Sequence, residues 1–259
     1  MRVISLANQK GGVGKTTTIV NLASELAKKN KVLVIDLDPQ GNCSKTLSNG
    51  QTSFDFNETI ACLFDKPKMV NIVDLIIPAQ AADNSIDNLF LIPADYQLSR
   101  VIETSLTKIN RERILEKHLS KISKDYDFVL LDTPPNLSLT TLNAIQASEL
   151  IVIPIDSGAY SLDGISPLLD AVDEIKDNEA NYCILRNEID SRNTLINNYI
   201  EKELEVVRDN VLKTVIRRSE HLSQANALSM PIRFYKKGSI INNDYSSLAK
   251  EINTYVIHR

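Results

Sequence analysis

From Leu6 to Thr18 the chain reads LANQKGGVGKTTT. Gly11, Gly12 and Gly14 leave the backbone free to turn its N–H groups inward around an anion, and the helical stretch starting near Thr16 adds the positive end of its dipole. Within this loop Lys15 is placed to bridge the β- and γ-phosphates of a nucleotide. The Thr16 hydroxyl is a ligand for Mg2+, Thr17 a donor to the α-phosphate, and Val13 completes the nucleotide-binding run. The general phosphate-loop pattern, G-x-x-x-x-G-K-[ST], asks for glycine at position 9. This chain has Gln9 there, and beside it a second lysine, Lys10. Such a loop carries more positive charge than one phosphate chain requires.

Magnesium chemistry also needs carboxylates. YDFVLLDTPP puts Asp132 directly after a buried-type apolar run, at the carboxyl edge of a strand, where open α/β sheets bind ligands. That position suits contact with magnesium through water. Thr133-Pro134-Pro135 follows as a stiff loop able to sense the γ-phosphate. VLVIDLDPQGN ends a second strand with Asp36 and Asp38. These two are expected to enter the site where strand gives way to loop, one orienting water and the other supporting magnesium.

The elements that position these residues are legible as alternating patterns. VISLA (3–7), VLVID (32–36), LFLIP (89–93), FVLLD (128–132), LIVIPI (150–155), YCILR (182–186) and VLKTVI (211–216) read as strands buried on both faces. Helical stretches lie between them: Thr16–Lys29, Asn110–Lys121, Leu139–Ala147, Leu162–Ile175 and Thr194–Glu205. Strand–helix–strand repetition predicts an α/β fold: a doubly wound, mostly parallel sheet of about seven or eight strands with helices on both faces. The segment from Gly50 to Asn88 is the least regular and is expected to be an insertion with short helices. No linker, repeat or low-complexity tract interrupts the chain, so residues 1–259 are read as one domain.

Composition bounds the rest. The chain has 259 residues, 43% hydrophobic and 24% charged, enough to bury a core. No apolar run approaches the roughly 18 residues of a membrane span. MRVISLANQK lacks a signal-peptide core, which predicts a cytoplasmic protein. Cys43, Cys62 and Cys183 are scattered, so neither disulfides nor a zinc site is expected. The net charge of −4 is unevenly spread: residues 208–259 hold nine basic and four acidic side chains, +5, which leaves −9 for residues 1–207. The basic tail is compatible with an anionic partner and equally with a solvated surface.

KGGVGKTT, VIDLDPQGN and FVLLDTPPNLS, in this order and spacing, resemble the ParA partition ATPases (Soj is the chromosomal type). These belong to the deviant Walker A, or MinD-like, branch of P-loop proteins. LIPAD, IVIPIDSGAYSLDGI and DSRNTL fall where such proteins carry similar stretches. The resemblance implies a P-loop NTPase fold and hydrolysis of ATP with Mg2+. It implies that Lys10 is the signature lysine, reaching across an ATP-dependent sandwich homodimer to phosphates held by the other subunit. Gln9 is common in the group. Asp38 matches the catalytic aspartate that positions the attacking water, Asp36 the aspartate beside the magnesium shell, and Asp132 the Walker B aspartate. Asn187 matches a position that reads adenine, and Met230-Pro231 a segment that packs on the base. Arg218 matches an arginine used on DNA, while Arg217 stands where proline is usual. The DPRSRG tract of the family is replaced by YKKGSI, so Arg217, Arg218, Arg233, Lys236 and Lys237 together are the DNA-binding candidates. Implied partners are non-specific double-stranded DNA and a ParB-like centromere-binding protein, with nucleoid association. As the chain starts at the first strand, no N-terminal helix-turn-helix domain is expected.

Two other readings use the same fold. A MinD-like or cargo-positioning ATPase would work on a membrane or a protein scaffold. The membrane type ends in a basic amphipathic helix. Here Tyr245, Leu248, Ile252, Tyr255 and Val256 make one apolar face of the ordinary core-packing kind, so no membrane contact is expected. An ATP-dependent ligase resembling dethiobiotin synthetase would generally lack the signature lysine.

Overall fold

Strands form where runs of Val, Ile and Leu leave no polar face for solvent. In the computed structural model, which describes residues 1–105, 110–158, 165–176 and 181–257, these runs are β1 (Arg2–Leu6), β2 (Val32–Asp36), β3 (Ile77–Ala81), β4 (Asn84–Ile92), β5 (Phe128–Asp132), β6 (Leu150–Ile155), β7 (Tyr182–Ile189) and β8 (Val211–Arg217). They make one sheet in the order β3-β4-β2-β5-β1-β6-β7-β8, parallel except for β3 against β4. Every residue of β2, β5 and β6 is buried. Each fully buried Val, Leu or Ile contributes about 1.5–3 kcal/mol, so the centre of the sheet is the best-anchored part of the molecule.

Helices cover both faces. α1 (Lys15–Leu26), α2 (Asn42–Leu47), α3 (Ile60–Asp65), α4 (Gln97–Thr104), α5 (Ile114–Leu119), α6 (Leu139–Ala147), α7 (Ile165–Lys176), α8 (Thr194–Leu204), α9 (Glu220–Ala227), α10 (Ile232–Tyr235) and α11 (Ile240–Ile257) follow in chain order. α1 and α11 pack on one face through Ile19, Leu22, Tyr245, Leu248 and Ile252. On the other, Leu63, Phe64, Leu98, Leu115 and Ala144 meet Leu33, Ile35, Val129 and Leu131. Tyr245, Leu248 and Ile252 of the apolar face of α11 are thus spent inside the fold. Among the described residues no helix is long and apolar enough to cross a membrane. The start of the helix expected over Leu162–Ile175, residues 162–164, lies outside the described residues.

The segment expected to be a helical insertion is corrected in part. It contains α3, but also β3 and the start of β4, which form an antiparallel hairpin on the sheet edge. Its turn residues Ala82 and Asp83 both have positive φ, 50° and 62°, as a two-residue type I′ turn requires. The sequence hid this hairpin because β3, IPAQA, is half exposed, contains Pro78 and carries no glycine turn signal. Edge strands tolerate proline because one row of their N–H groups has no partner strand. At the opposite edge, the Glu251 carboxylate of α11 accepts from the backbone N–H groups of Lys213 (2.6 Å) and Thr214 (2.8 Å) in β8. That contact satisfies an otherwise open strand.

Candidate nucleotide-binding site

The three central strands bring the chemistry to one level. Leu6 of β1 and Asp36 of β2 both pair with Asp132 of β5, so the loop after β1 and two carboxylates share the carboxyl edge of the sheet. Asn8 anchors the loop: its Nδ2 donates to the Pro154 carbonyl near the end of β6 (2.8 Å), and its Oδ1 accepts from the Lys10 N–H (2.9 Å). Gly12 and Gly14 both have φ of 79°. At Gly14 a Cβ would lie 2.3 Å from the Asn187 Nδ2, so both conformation and space demand glycine. α1 then starts with no acidic residue in its first turn and no side-chain cap. A helix N-terminus with free N–H groups beside a lysine is suited to a phosphate chain.

Lys15 is almost wholly buried and folds back over the loop, donating to the carbonyls of Asn8 (2.9 Å) and Lys10 (3.2 Å). Burial lowers its pKa, and the carboxylates of Asp132 and Asp38 oppose that shift. Lys10 points elsewhere. Its ammonium is 2.8 Å from the Asp156 carboxylate, on the segment after β6, and both side chains are about a quarter exposed, 29% and 23%. One lysine serves the interior of the loop; the other is held at its rim within the same protomer.

Asp132 is fully buried, and neither of its carboxylate oxygens has a hydrogen-bond partner of ordinary geometry. Burial first, then the neighbouring Asp36 carboxylate, push its pKa well above the usual range; the Thr16 hydroxyl and Lys15 work against this. Asp36 is also raised, mainly by burial, although it accepts from the Ser44 hydroxyl, the Ser44 N–H and the Asp38 N–H. Asp38 is raised by burial and lowered by the Gln40 N–H and Lys15. Two orphaned carboxylate oxygens beside a threonine hydroxyl, in a cluster too acidic to be fully ionised alone, fit a divalent cation. Cys43 lies under the same carboxylates, and its thiol is pushed far up by burial; Cys62 and Cys183 are also buried, and none of the three forms a disulfide.

The remaining expected residues are distributed as follows. Asn187 is buried and donates to the Val13 carbonyl (2.7 Å), while its Oδ1 has no partner. Pro231 caps α10, and Met230 packs on the core. Residues on either side of this pair bond α1: Asn21 accepts from the Ile232 N–H (2.7 Å) and Thr17 from the Asn226 side-chain amide (3.0 Å). Arg218 is exposed and lines a cavity of about 580 Å3 with Arg192, Ser219 and Ser223. Lys236 is joined to the ring of His221 in α9 (2.9 Å), which brings it to the same element that follows Arg218. Lys237 is exposed. Arg217 and Arg233 are committed differently. Arg217 is bound in fork fashion by the Asp244 carboxylate of α11, and Arg233 is half-buried against the Phe234 ring at 4.6 Å.

Sequence reasoning passed over Asn8, Ser44, Asp156 and Glu188. Glu188 has a φ of 52° and stands against Gly14, its pKa raised by burial and by Asp156 and lowered by Arg218. Asn8 and Asp156 each carried one weak signal, a polar residue just past a buried strand.

The fold agrees with the relatives of this chain. The family described as AAA domain matches residues 1–186. The sporulation initiation inhibitor protein Soj of Bacillus subtilis is 37% identical over 97% of this chain and 98% of its own length. The chromosome-partitioning ATPase Soj of Treponema pallidum is 33% identical over 97% of this chain and 96% of its own. The chain belongs to the ParA/Soj family. The solved structure of apo McdA from Cyanothece superposes on this ParA/Soj chain with a TM-score of 0.82 at 22% identity, covering 99% of both chains, which bears on the fold alone. The family assignment accounts for the α/β architecture and for the position of the loop. The matched segment ends before β8, α9, α10 and α11, so the basic tail lies beyond it.

Proposed function

We propose that this chain is a Mg2+-dependent ATPase of DNA partition. In this reading it dimerises on ATP and binds double-stranded DNA without sequence preference as a dimer. Hydrolysis, stimulated by a ParB-like centromere-binding protein, then releases it. The observation that carries the reading is the division of labour between the two lysines: Lys15 fills the loop interior, while Lys10 sits at the rim on a partly exposed ion pair. The name of the Treponema relative supports DNA as the cargo and ATP as the fuel.

The roles follow from position. The loop N–H groups and the start of α1 bind the phosphate chain, and Lys15 places a point charge on its β- and γ-groups. Lys10 exchanges Asp156 for phosphates across a two-fold interface, where the surplus charge of each subunit is used by the other. Without phosphates the facing lysines repel, which makes the dimer depend on ATP. Asp132 and Thr16, with Asp36 behind them, would hold magnesium, which would supply positive charge to neutralise the phosphates. Asp38 orients the attacking water. The free Oδ1 of Asn187 accepts from the adenine amino group, and Met230-Pro231 packs on the base. Arg218, Lys236 and Lys237 are the leading DNA contacts, and the protein works in the cytoplasm on the nucleoid.

Sedimentation velocity with ATP, ADP and no nucleotide tests this reading. Wild type should dimerise with ATP alone. Lys15→Gln should lose nucleotide binding; Lys10→Ala should bind nucleotide yet remain monomeric or fail to hydrolyse. A Lys10→Ala protein that dimerises and turns over like wild type would remove the role in trans. Loss of DNA binding at low salt with ATP present would move the working surface to a membrane or a protein scaffold.

A further inference from the structure

Ser44 lies in none of the motifs assigned above, yet it is fully buried against Asp36, one member of the carboxylate cluster. Its hydroxyl donates to Asp36 Oδ2 (2.7 Å) and its backbone N–H donates to the same oxygen (2.8 Å). The hydroxyl oxygen accepts from the N–H of Ala94, in the LIPAD corner after β4, at 2.8 Å. The direction of each bond follows from chemistry. A backbone N–H can only donate, so the hydroxyl must accept from Ala94 and is left to spend its single proton on Asp36. The other Asp36 oxygen, Oδ1, accepts from the N–H of Asp38 (3.0 Å), and Asp38 Oδ1 accepts from the N–H of Gln40 (2.9 Å). An unbroken chain of hydrogen bonds therefore runs from Ala94 through Ser44 and Asp36 to the turn that carries Asp38.

A second observation fixes the same contact. Gly41, which precedes α2, has a φ of 62°, and a Cβ there would lie 2.7 Å from the Ala94 carbonyl oxygen. The start of α2 is pressed against the same residue whose N–H donates to Ser44. Both the N–H and the carbonyl of Ala94 thus face α2, and neither contact leaves room for slack.

We infer that Ser44 is a positioning residue for ATP hydrolysis: it locks Asp36, and through Asp36 the Asp38 turn, to the backbone corner at Ala94. The inference rests on the ATPase reading above. Asp36 is then a relay whose two oxygens are held from opposite ends, rather than a free carboxylate. An aspartate that orients water loses about a hundredfold in rate when displaced by roughly 1 Å, so a rigid support of this kind acts on turnover. Ser44 touches no phosphate-loop residue in this network, so nucleotide affinity should be nearly independent of it.

The test uses Ser44→Ala, the near-isosteric Ser44→Cys, which donates poorly, and Ser44→Thr, which restores the hydroxyl. Turnover should fall about 10- to 100-fold in Ser44→Ala and Ser44→Cys, the range for losing a hydrogen bond to a charged group. The KM and the affinity for a fluorescent ATP analogue should change less than about threefold, and Ser44→Thr should recover most of the rate. Amide hydrogen exchange on the unliganded proteins supplies a readout independent of turnover: Ser44→Ala should speed exchange at both Ala94 and Asp38 while the β1 and β5 amides stay protected. Unchanged exchange at Asp38, a full rate in Ser44→Ala, or equal losses of affinity and rate would each overturn the inference. If wild type binds ATP but never hydrolyses it, the ATPase reading fails, and the exchange measurement alone decides whether Ser44 holds the Asp38 turn.

Discussion

At the scale of single residues, the site is governed by burial of charge. Asp36, Asp38 and Asp132 are each pushed above the usual carboxylate range by desolvation, and only hydrogen bonds, Lys15 and a cation favour their ionised forms. If Asp38 orients the attacking water as proposed, Asp38→Ala should bind ATP and dimerise but stay dimeric, because removing such a carboxylate slows chemistry and leaves the phosphate contacts intact. Wild-type turnover of that variant in the presence of its partner protein would contradict the assignment. His118 offers a separate test. Its ring Nε2 bonds the Pro67 carbonyl at 2.8 Å, while Nδ1 is buried with no partner. Burial lowers its pKa below 6.5, with Lys121 acting the same way and Pro67 opposing. The unfolded chain therefore takes up the proton more readily, and stability present above about pH 6.5 is lost as pH falls through the lower folded pKa. Urea denaturation from pH 8 to 5 should show wild type losing stability faster than His118→Gln below pH 6.5, by at most about 1.4 kcal/mol per pH unit for one proton. Parallel pH curves for the two proteins would show that His118 does not carry the effect.

At the scale of elements, α11 is the clasp of the basic half of the molecule. It buries Tyr245, Leu248 and Ile252 against the sheet, and its polar residues tie down two other elements, β8 and α1. Glu251 closes the edge of β8, Asp244 takes Arg217 at the end of β8, and Asn242 and Ser246 bond Glu25 of α1. Glu251→Ala leaves two backbone N–H groups without their charged acceptor. The expected cost is about 1–2 kcal/mol, less than for a fully buried contact because Glu251 is half-exposed. Glu251→Gln should recover part of it, and chemical denaturation measures both. No difference between Glu251→Ala and wild type would mean that solvent serves these N–H groups as well as the carboxylate does.

At the scale of the whole molecule, charge is polarised, with −9 over residues 1–207 and +5 over residues 208–259. In the proposed function a single protomer would offer few phosphate contacts and a two-fold dimer would double them, and affinity for DNA rises steeply with the number of phosphates neutralised. Fluorescence anisotropy on random duplexes should therefore detect binding with ATP and little with ADP. The log–log salt slope should be about one per phosphate contact. Arg218→Ala, or Lys236→Ala with Lys237→Ala, should weaken DNA binding and lower that slope while ATP-dependent dimerisation persists. Arg217→Ala should behave differently. Its guanidinium is engaged by Asp244 although half-exposed, so its removal should lower stability by roughly 1 kcal/mol or less, and less still in high salt. Equal DNA affinity in all nucleotide states would contradict the switch.

The phosphate loop, the strand before it, the helix after it and Asp132 could be read from residue order, because each is a local signal. Glycines, a Gly-Lys-Thr step and an apolar run ending in aspartate act over a few residues, and burial of such runs on both faces calls for a sheet between helix layers. Tertiary structure decided the pairings. Asn8 meets Pro154 and Lys10 meets Asp156 across 146 residues because β1 and β6 are neighbours in the sheet. Ser44 meets Ala94 because β2 and β4 are parallel neighbours. Arg217 looks like a free cation in the sequence and is committed to Asp244 only because α11 folds back on β8. The β3–β4 hairpin escaped notice for the complementary reason: a half-exposed edge strand with a proline lacks the apolar run that marks the others, and its pairing is fixed by the neighbouring strand rather than by its own composition. Local hydrophobic pattern determines which segments become elements, while strand order and register determine which side chains meet, and the chemistry of this site depends on both.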